Sequence, residues 1–177
     1  MNDFGFKKLS VENWRQPDPI MSTFVKVDRF GQTYKSNNTD WVQAILKPEL
    51  KEFVPDEVRA LFEVARGSMA YGYFFYPLFT LSAEQIFRVA EAAIKYKCKE
   101  LNAPTAEDTF YKRINWLMKA GVIDKTNGRI WHGTKKLRNY ASHPSKQMIL
   151  TPGDALAFLL STAEDINSLF NNCQHVA

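Results

Sequence analysis

Cysteine and histidine are scarce in this chain, two and three among 177 residues, and that scarcity excludes several kinds of chemistry. Cys98 and Cys173 lie far apart with no C-x-x-C spacing, so neither a zinc site nor a disulfide framework is expected, and no metal or other cofactor is implied. Cys98 reads as a packed thiol on a helix. Long apolar runs are also missing. The longest uncharged stretch, Gly67 to Ala83, has 17 residues, contains Gly72, Pro77 and three tyrosines, and falls short of a bilayer span. Residues 1–8 hold no apolar segment leading to a small-residue cleavage site, so cytoplasmic residence without membrane attachment is expected. Internal repeats and low-complexity tracts are absent. Acidic residues are missing from one place in particular: between Lys125 and Lys146 there are six basic residues and no Asp or Glu.

What is present is enough for an ordinary globular core: 45% hydrophobic residues in 20.4 kDa, with a net charge of +4 and a pI near 9.0. A modest positive charge of this kind makes a polyanion partner plausible without requiring one. Residues 1–54 read as an irregular extension or arm. Trp14-Arg15-Gln16-Pro17-Asp18-Pro19 is incompatible with a helix, and Thr23 to Val27 followed by Asp28-Arg29-Phe30-Gly31 resembles a strand entering the turn of a short β-hairpin.

Residues 55–177 read as a helical bundle. After Pro55, the acids Asp56 and Glu57 mark a first turn and Val58, Leu61, Phe62 and Ala65 recur at helical spacing as far as the aromatic patch from Tyr71 to Tyr76, where Pro77 breaks the pattern. Tyr71, Tyr73 and Tyr76 read as core and interface residues before a ligand surface. Leu81 to Leu101 is a long amphipathic helix. Pro104 to Asp108 looks like the opening of a helix that buries Phe110, Ile114, Leu117 and Met118 and ends at Gly121. Asn127-Gly128 reads as a turn before a helix from about Gly128 to Ser142. Thr151-Pro152 starts the last helix, with Thr as cap and Pro at the first position. The expected fold is therefore mainly α, an antiparallel bundle of four to five helices behind an N-terminal extension with a short hairpin.

The stretch Arg138-Asn139-Tyr140-Ala141-Ser142-His143, followed by Pro144, carries the chemistry. An Arg can hold a phosphate and a His can move a proton, which is what RNA cleavage without a metal needs. An Arg five residues before a His arises by chance in about one such chain in seven, and with Asn after the Arg in about one in a hundred. The motif therefore needs support from its surroundings. With Ile130 as the origin, Leu137 and Ala141 fall within about 20° of it and define the expected core face. His132, Lys136, Asn139 and His143 share the opposite side, with Arg138 flanking them. Pro144 disfavours a helical conformation at His143 and so places that imidazole at a helix C-terminus. The plain alternative for this face is a solvated polar surface.

These residues resemble the R-x(4–6)-H signature of HEPN domains. Val54 to Arg59, Arg88 to Ile94, Leu137 to Pro144 and Thr151 to Phe170 look like one group of short prokaryotic HEPN proteins, so the likeness covers about residues 54–170. The resemblance implies a bundle that forms a homodimer so that two motifs share one cleft. In catalytic members it implies a metal-independent endoribonuclease, with a toxin, antiviral-defence or stress role and a protein antitoxin or defence-system partner. On that likeness Arg138 holds the scissile phosphate, His143 acts as general base or acid, and Asn139 orients the phosphate or His143. Lys135, Lys136, His132, Arg129 and Lys146 would contact RNA. Glu91 and Arg88 would support the cleft, although helix pairs of this kind more often form plain ion pairs. In members silenced by a nucleotidyltransferase a Tyr stands two residues after the motif His. Here Ser145 stands there, so that form of control is not expected. The competing reading is a non-catalytic HEPN module that binds RNA, a nucleotide or a protein.

Overall fold

The computed structural model describes residues 6–27, 29–35, 37–141 and 150–171, with backbone alone for Lys26 and residues 134–141. Among the described residues there are six helices: α1 (Asn38–Leu46), α2 (Asp56–Tyr71), α3 (Leu78–Glu100), α4 (Phe110–Lys119), α5 (Lys125–Ala141) and α6 (Pro152–Asn171). A two-stranded antiparallel hairpin, β1 (Val25–Val27) and β2 (Thr33–Lys35), precedes them, with Val25 opposite Lys35 and Val27 opposite Thr33. The mainly helical bundle and the short hairpin are as expected. Among the described residues no helix is long and apolar enough to cross a membrane.

Helix α3 is the axis of the bundle. Its residues Phe79, Ile86, Val89, Ala90, Ala93 and Ile94 are buried, with α2, α6, α4 and α5 packed around them. Burial of apolar area at roughly 25 cal/mol per Å² drives this arrangement. Helix α2 presents Val58, Phe62, Ala65 and Met69 to α3, and α6 presents Ala155, Leu159, Ala163 and Ile166. The break at Pro77 and the Thr151 cap are where the sequence puts them: Thr151 Oγ1 accepts from the Asp154 amide at 3.1 Å, and Pro152 opens α6. Cys98 is buried on α3, and burial pushes its thiol up to about 11, consistent with a packing role.

Three local expectations are corrected. The segment from Pro104 to Asp108 does not open α4. The helix starts at Phe110, where the Thr109 hydroxyl caps it by accepting from the Lys112 amide at 3.3 Å. Asn127-Gly128 is not a turn but lies within the first turn of α5. A further helix, α1, occupies part of the segment read as irregular. Its Asn37 side chain accepts from the Asp40 amide at 2.8 Å, and Trp41 and Ile45 enter the same hydrophobic core as the bundle.

Asp18 ties the N-terminal segment to the α2–α3 junction. Its side chain is buried and accepts from the backbone amides of Tyr76 at 3.0 Å, Ile20 at 3.2 Å and Lys7 at 3.4 Å, while its own amide donates to the Tyr73 carbonyl at 2.9 Å. Lys7 Nζ in turn donates to the carbonyls of Asn13 and Gln16. Removing the carboxylate leaves buried donors unsatisfied, so Asp18→Ala should lower unfolding stability by about 3 kcal/mol, with Asp18→Asn less damaging. Urea denaturation measures this; a loss under about 0.5 kcal/mol, the range of an ordinary surface substitution, would contradict the clamp.

Candidate nucleic-acid interface

Asp124 starts the helix that carries the motif. Its Oδ1 accepts from the amides of Thr126 at 2.7 Å and Asn127 at 2.8 Å, supplying partners for the orphan donors of a helix N-terminus. One turn on, Gly128 lies directly against α4. A Cβ there would run into the Met118 side chain, so a larger residue at 128 would require Met118 to move. Trp131 follows on the inner side, 4% exposed.

This packing corrects the expected orientation of α5. Ile130, taken as the centre of the core face, is 46% exposed, whereas Gly128 and Trp131 are buried. The core line thus runs through Trp131, about 100° round the helix from Ile130. His132 is moved from its expected outward position as well. It is half-buried against α4, its Nε2 3.0 Å from Asn115 Oδ1 and its ring 5.0 Å from that of Tyr111. Leu137 and Ala141 lie beyond the described side chains.

The backbone of α5 runs unbroken through Lys135, Lys136, Arg138 and Asn139. Asn139 is seven residues, two turns, beyond His132 and shares its line; Arg138 is likewise in line with Trp131. The motif thus straddles two lines, one continuing from the core tryptophan and the other from the α4 contact. His143 and Lys146 fall outside the described residues. Arg129 is exposed, Arg88 is exposed on α3, and Glu91 is half-buried two positions before the buried Ala93.

Packing also enlarges the basic surface. Helix α4 contains Lys112, Arg113 and Lys119 and no acid. Residues 110–153 hold a single acidic residue, Asp124, engaged in the α5 cap. Lys112 is partly neutralised by Asp108 at 3.0 Å, which holds the Asp108 carboxyl below its ordinary range through that hydrogen bond and charge. The contribution of α4 was missed because the acid-free window was read from Lys125 onward. Tyr111 is exposed on α4, and Asn115 one turn on is half-buried beside His132.

A cavity of about 150 Å³ lies where the α4–α5 turn meets α6, lined among others by Ile123, Asp124, Asn127, Trp131, Asp165 and Ser168. Of the residue triads that bind metals, none is found among the described residues. Tyr76, buried with its hydroxyl donating to the Leu150 carbonyl at 3.0 Å, serves the core, and Tyr71 is exposed.

A helical bundle carrying a basic, nearly acid-free helical hairpin is thus the class that the fold and site define. The chain belongs to the DUF4145 family, a domain of unknown function, whose pattern matches residues 68–176, more than half of the sequence. No curated protein and no solved structure shows significant similarity to it.

Burial raises the Asp165 carboxyl above its ordinary value, and neighbouring Glu164 pushes the same way. A raised folded-state value means the unfolded chain ionises first as pH climbs, so the carboxyl costs stability above the ordinary aspartate range and nothing well below it. Asp165→Asn should raise the melting temperature by about 2 °C at pH 7, and the gain should vanish below about pH 3.5. Thermal melts across pH test this; a lowered melting temperature at pH 7 would contradict it.

Proposed function

We propose that the protein is a metal-independent endoribonuclease of HEPN type, acting at a site composed from two subunits, with a role in toxin, antiviral or stress responses. The observation that carries the reading is the placement of Arg138 and Asn139 on consecutive positions of α5, in a region with one acidic residue in 44, followed by His143 and Pro144 in sequence. A phosphodiester approaching this region meets cations and little repulsion, which favours a polyanion such as RNA over uncharged ligands.

The chemistry assigns each group a task. His143 as base takes the proton of the ribose 2′-OH, whose oxygen attacks the adjacent phosphorus. The bond from phosphorus to the 5′ oxygen breaks, an acid returns a proton to that oxygen, and the products are a 2′,3′-cyclic phosphate and a 5′-hydroxyl. Arg138 neutralises the charge that gathers on the phosphoryl oxygens, and Asn139 holds the phosphate or the imidazole in line. A second motif from a homodimer partner supplies the complementary base or acid. Lys135, Lys136, Arg129 and Lys146 contribute phosphate contacts, and a protein antitoxin or defence partner would restrain the activity in the cell.

Purified protein in excess EDTA should cut RNA, and His143→Ala should cut about a hundredfold or more slowly while still binding it. Arg138→Ala should weaken both. Gel analysis of labelled RNA measures these rates. Equal cleavage by the His143 variant would remove the catalytic assignment, whereas salt-sensitive binding without any turnover by the wild type would replace the enzyme with a binding module.

A further inference from the structure

We infer that α4 supplies a base-holding subsite in which the Tyr111 ring stacks on an unpaired nucleobase of RNA bound along α5; this rests on the RNA reading above. Three side chains from two helices form a linked unit. Tyr111 is 48% exposed. Its ring sits 5.0 Å from His132 at a tilt of 45°, and His132 Nε2 is held 3.0 Å from Asn115 Oδ1. Asn115 lies one turn beyond Tyr111 on the same face of α4, so it anchors the imidazole against which the phenol ring leans.

The position of this unit gives it a ligand. His132 begins the line of α5 that continues through Lys136 to Asn139, so Tyr111 stands beside the start of the motif line. On α4 the neighbouring Lys112 is held by Asp108, and on α5 the exposed Arg129 lies three residues before His132. An exposed ring beside a helix with five basic residues and no acid matches the physical requirements of single-stranded nucleic acid, in which the backbone follows the charge and a base stacks on the aromatic face. Paired bases are already stacked on each other and present no face to the ring. Tyr111 is the base-contacting residue; Asn115 and His132 are positioning residues that fix the angle of its ring.

The test uses the full chain and a fluorescent, unstructured oligoribonucleotide of about 15 nucleotides, alone or annealed to its complement, with binding read by anisotropy. Tyr111→Ala should weaken single-strand binding about tenfold or more, Tyr111→Phe should keep it within about twofold, and neither should alter duplex binding. Asn115→Ala should weaken single-strand binding by an intermediate factor. The salt dependence of binding should be unchanged in Tyr111→Ala and shallower in Arg129→Gln, because only the latter removes a charge. Circular dichroism melts identify any variant that has lost its fold, and Tyr111→Leu, which keeps an apolar side chain without a ring, should lose single-strand binding as the alanine variant does and reads out the stacking claim if the alanine variant fails to fold. If wild type binds RNA and Tyr111→Ala binds the single strand equally well, the subsite is wrong and the RNA reading stands. If wild type binds no RNA, both fall.

Discussion

The seam between α5 and α4 sets the orientation of the candidate face. Gly128 packs on the Met118 side chain, Trp131 enters the core and His132 reaches Asn115. Those two contacts fix the rotation of α5 about its axis. Everything placed further along the helix inherits that rotation, including Arg138 and Asn139 in its last turn. A bulkier residue at 128 would have to displace Met118 before the same face could form.

Charge and packing act together here. Burying a helix with five basic residues on several sides would leave cations in a low dielectric, which is costly. The bundle avoids this by burying α5 through an apolar residue and a glycine, with Arg129 left in water. Helix α4 makes a similar compromise: Phe110, Ile114 and Leu117 go inward, Lys112 and Lys119 stay exposed and Arg113 is half-buried. Two like-charged helices packed side by side repel at long range. Apolar contact along their seam offsets that repulsion, and a bound polyanion would relieve it.

Much of the fold was legible because its signals are local. The Thr151-Pro152 helix start, the hairpin at Val25 to Lys35 and the break at Pro77 depend on residues within a few positions of one another. The rotation of α5 was not legible in the same way. Ile130 and Trp131 are adjacent, both apolar, and about 100° apart, so the choice between them as core residue turns the helix by that angle. Only the partner surface decides, and Met118 lies ten residues before Gly128, across a turn. The start of α5 was obscured for a related reason: Asn127-Gly128 has the composition of a turn, but the Asp124 cap and the fit against α4 hold it in the helix. Helix α1 had a readable cap in Asn37 and Asp40, but its nine residues sit among segments with no periodic pattern. At the candidate site, the Arg-Asn-x-x-x-His motif was visible at once, whereas Tyr111 and Asn115 came into view only when α4 was seen beside it.

In the proposed reaction the ribose 2′-OH is the nucleophile and no metal is needed. Its decisive test is the fate of an RNA in EDTA with a single 2′-deoxy substitution at the cleaved nucleotide, alongside the unmodified strand. The unmodified strand should yield a 2′,3′-cyclic phosphate and a 5′-hydroxyl end, and the substituted strand should stay intact at that position. Cleavage of the 2′-deoxy strand at the same bond, or no cleavage of the unmodified one, would contradict it.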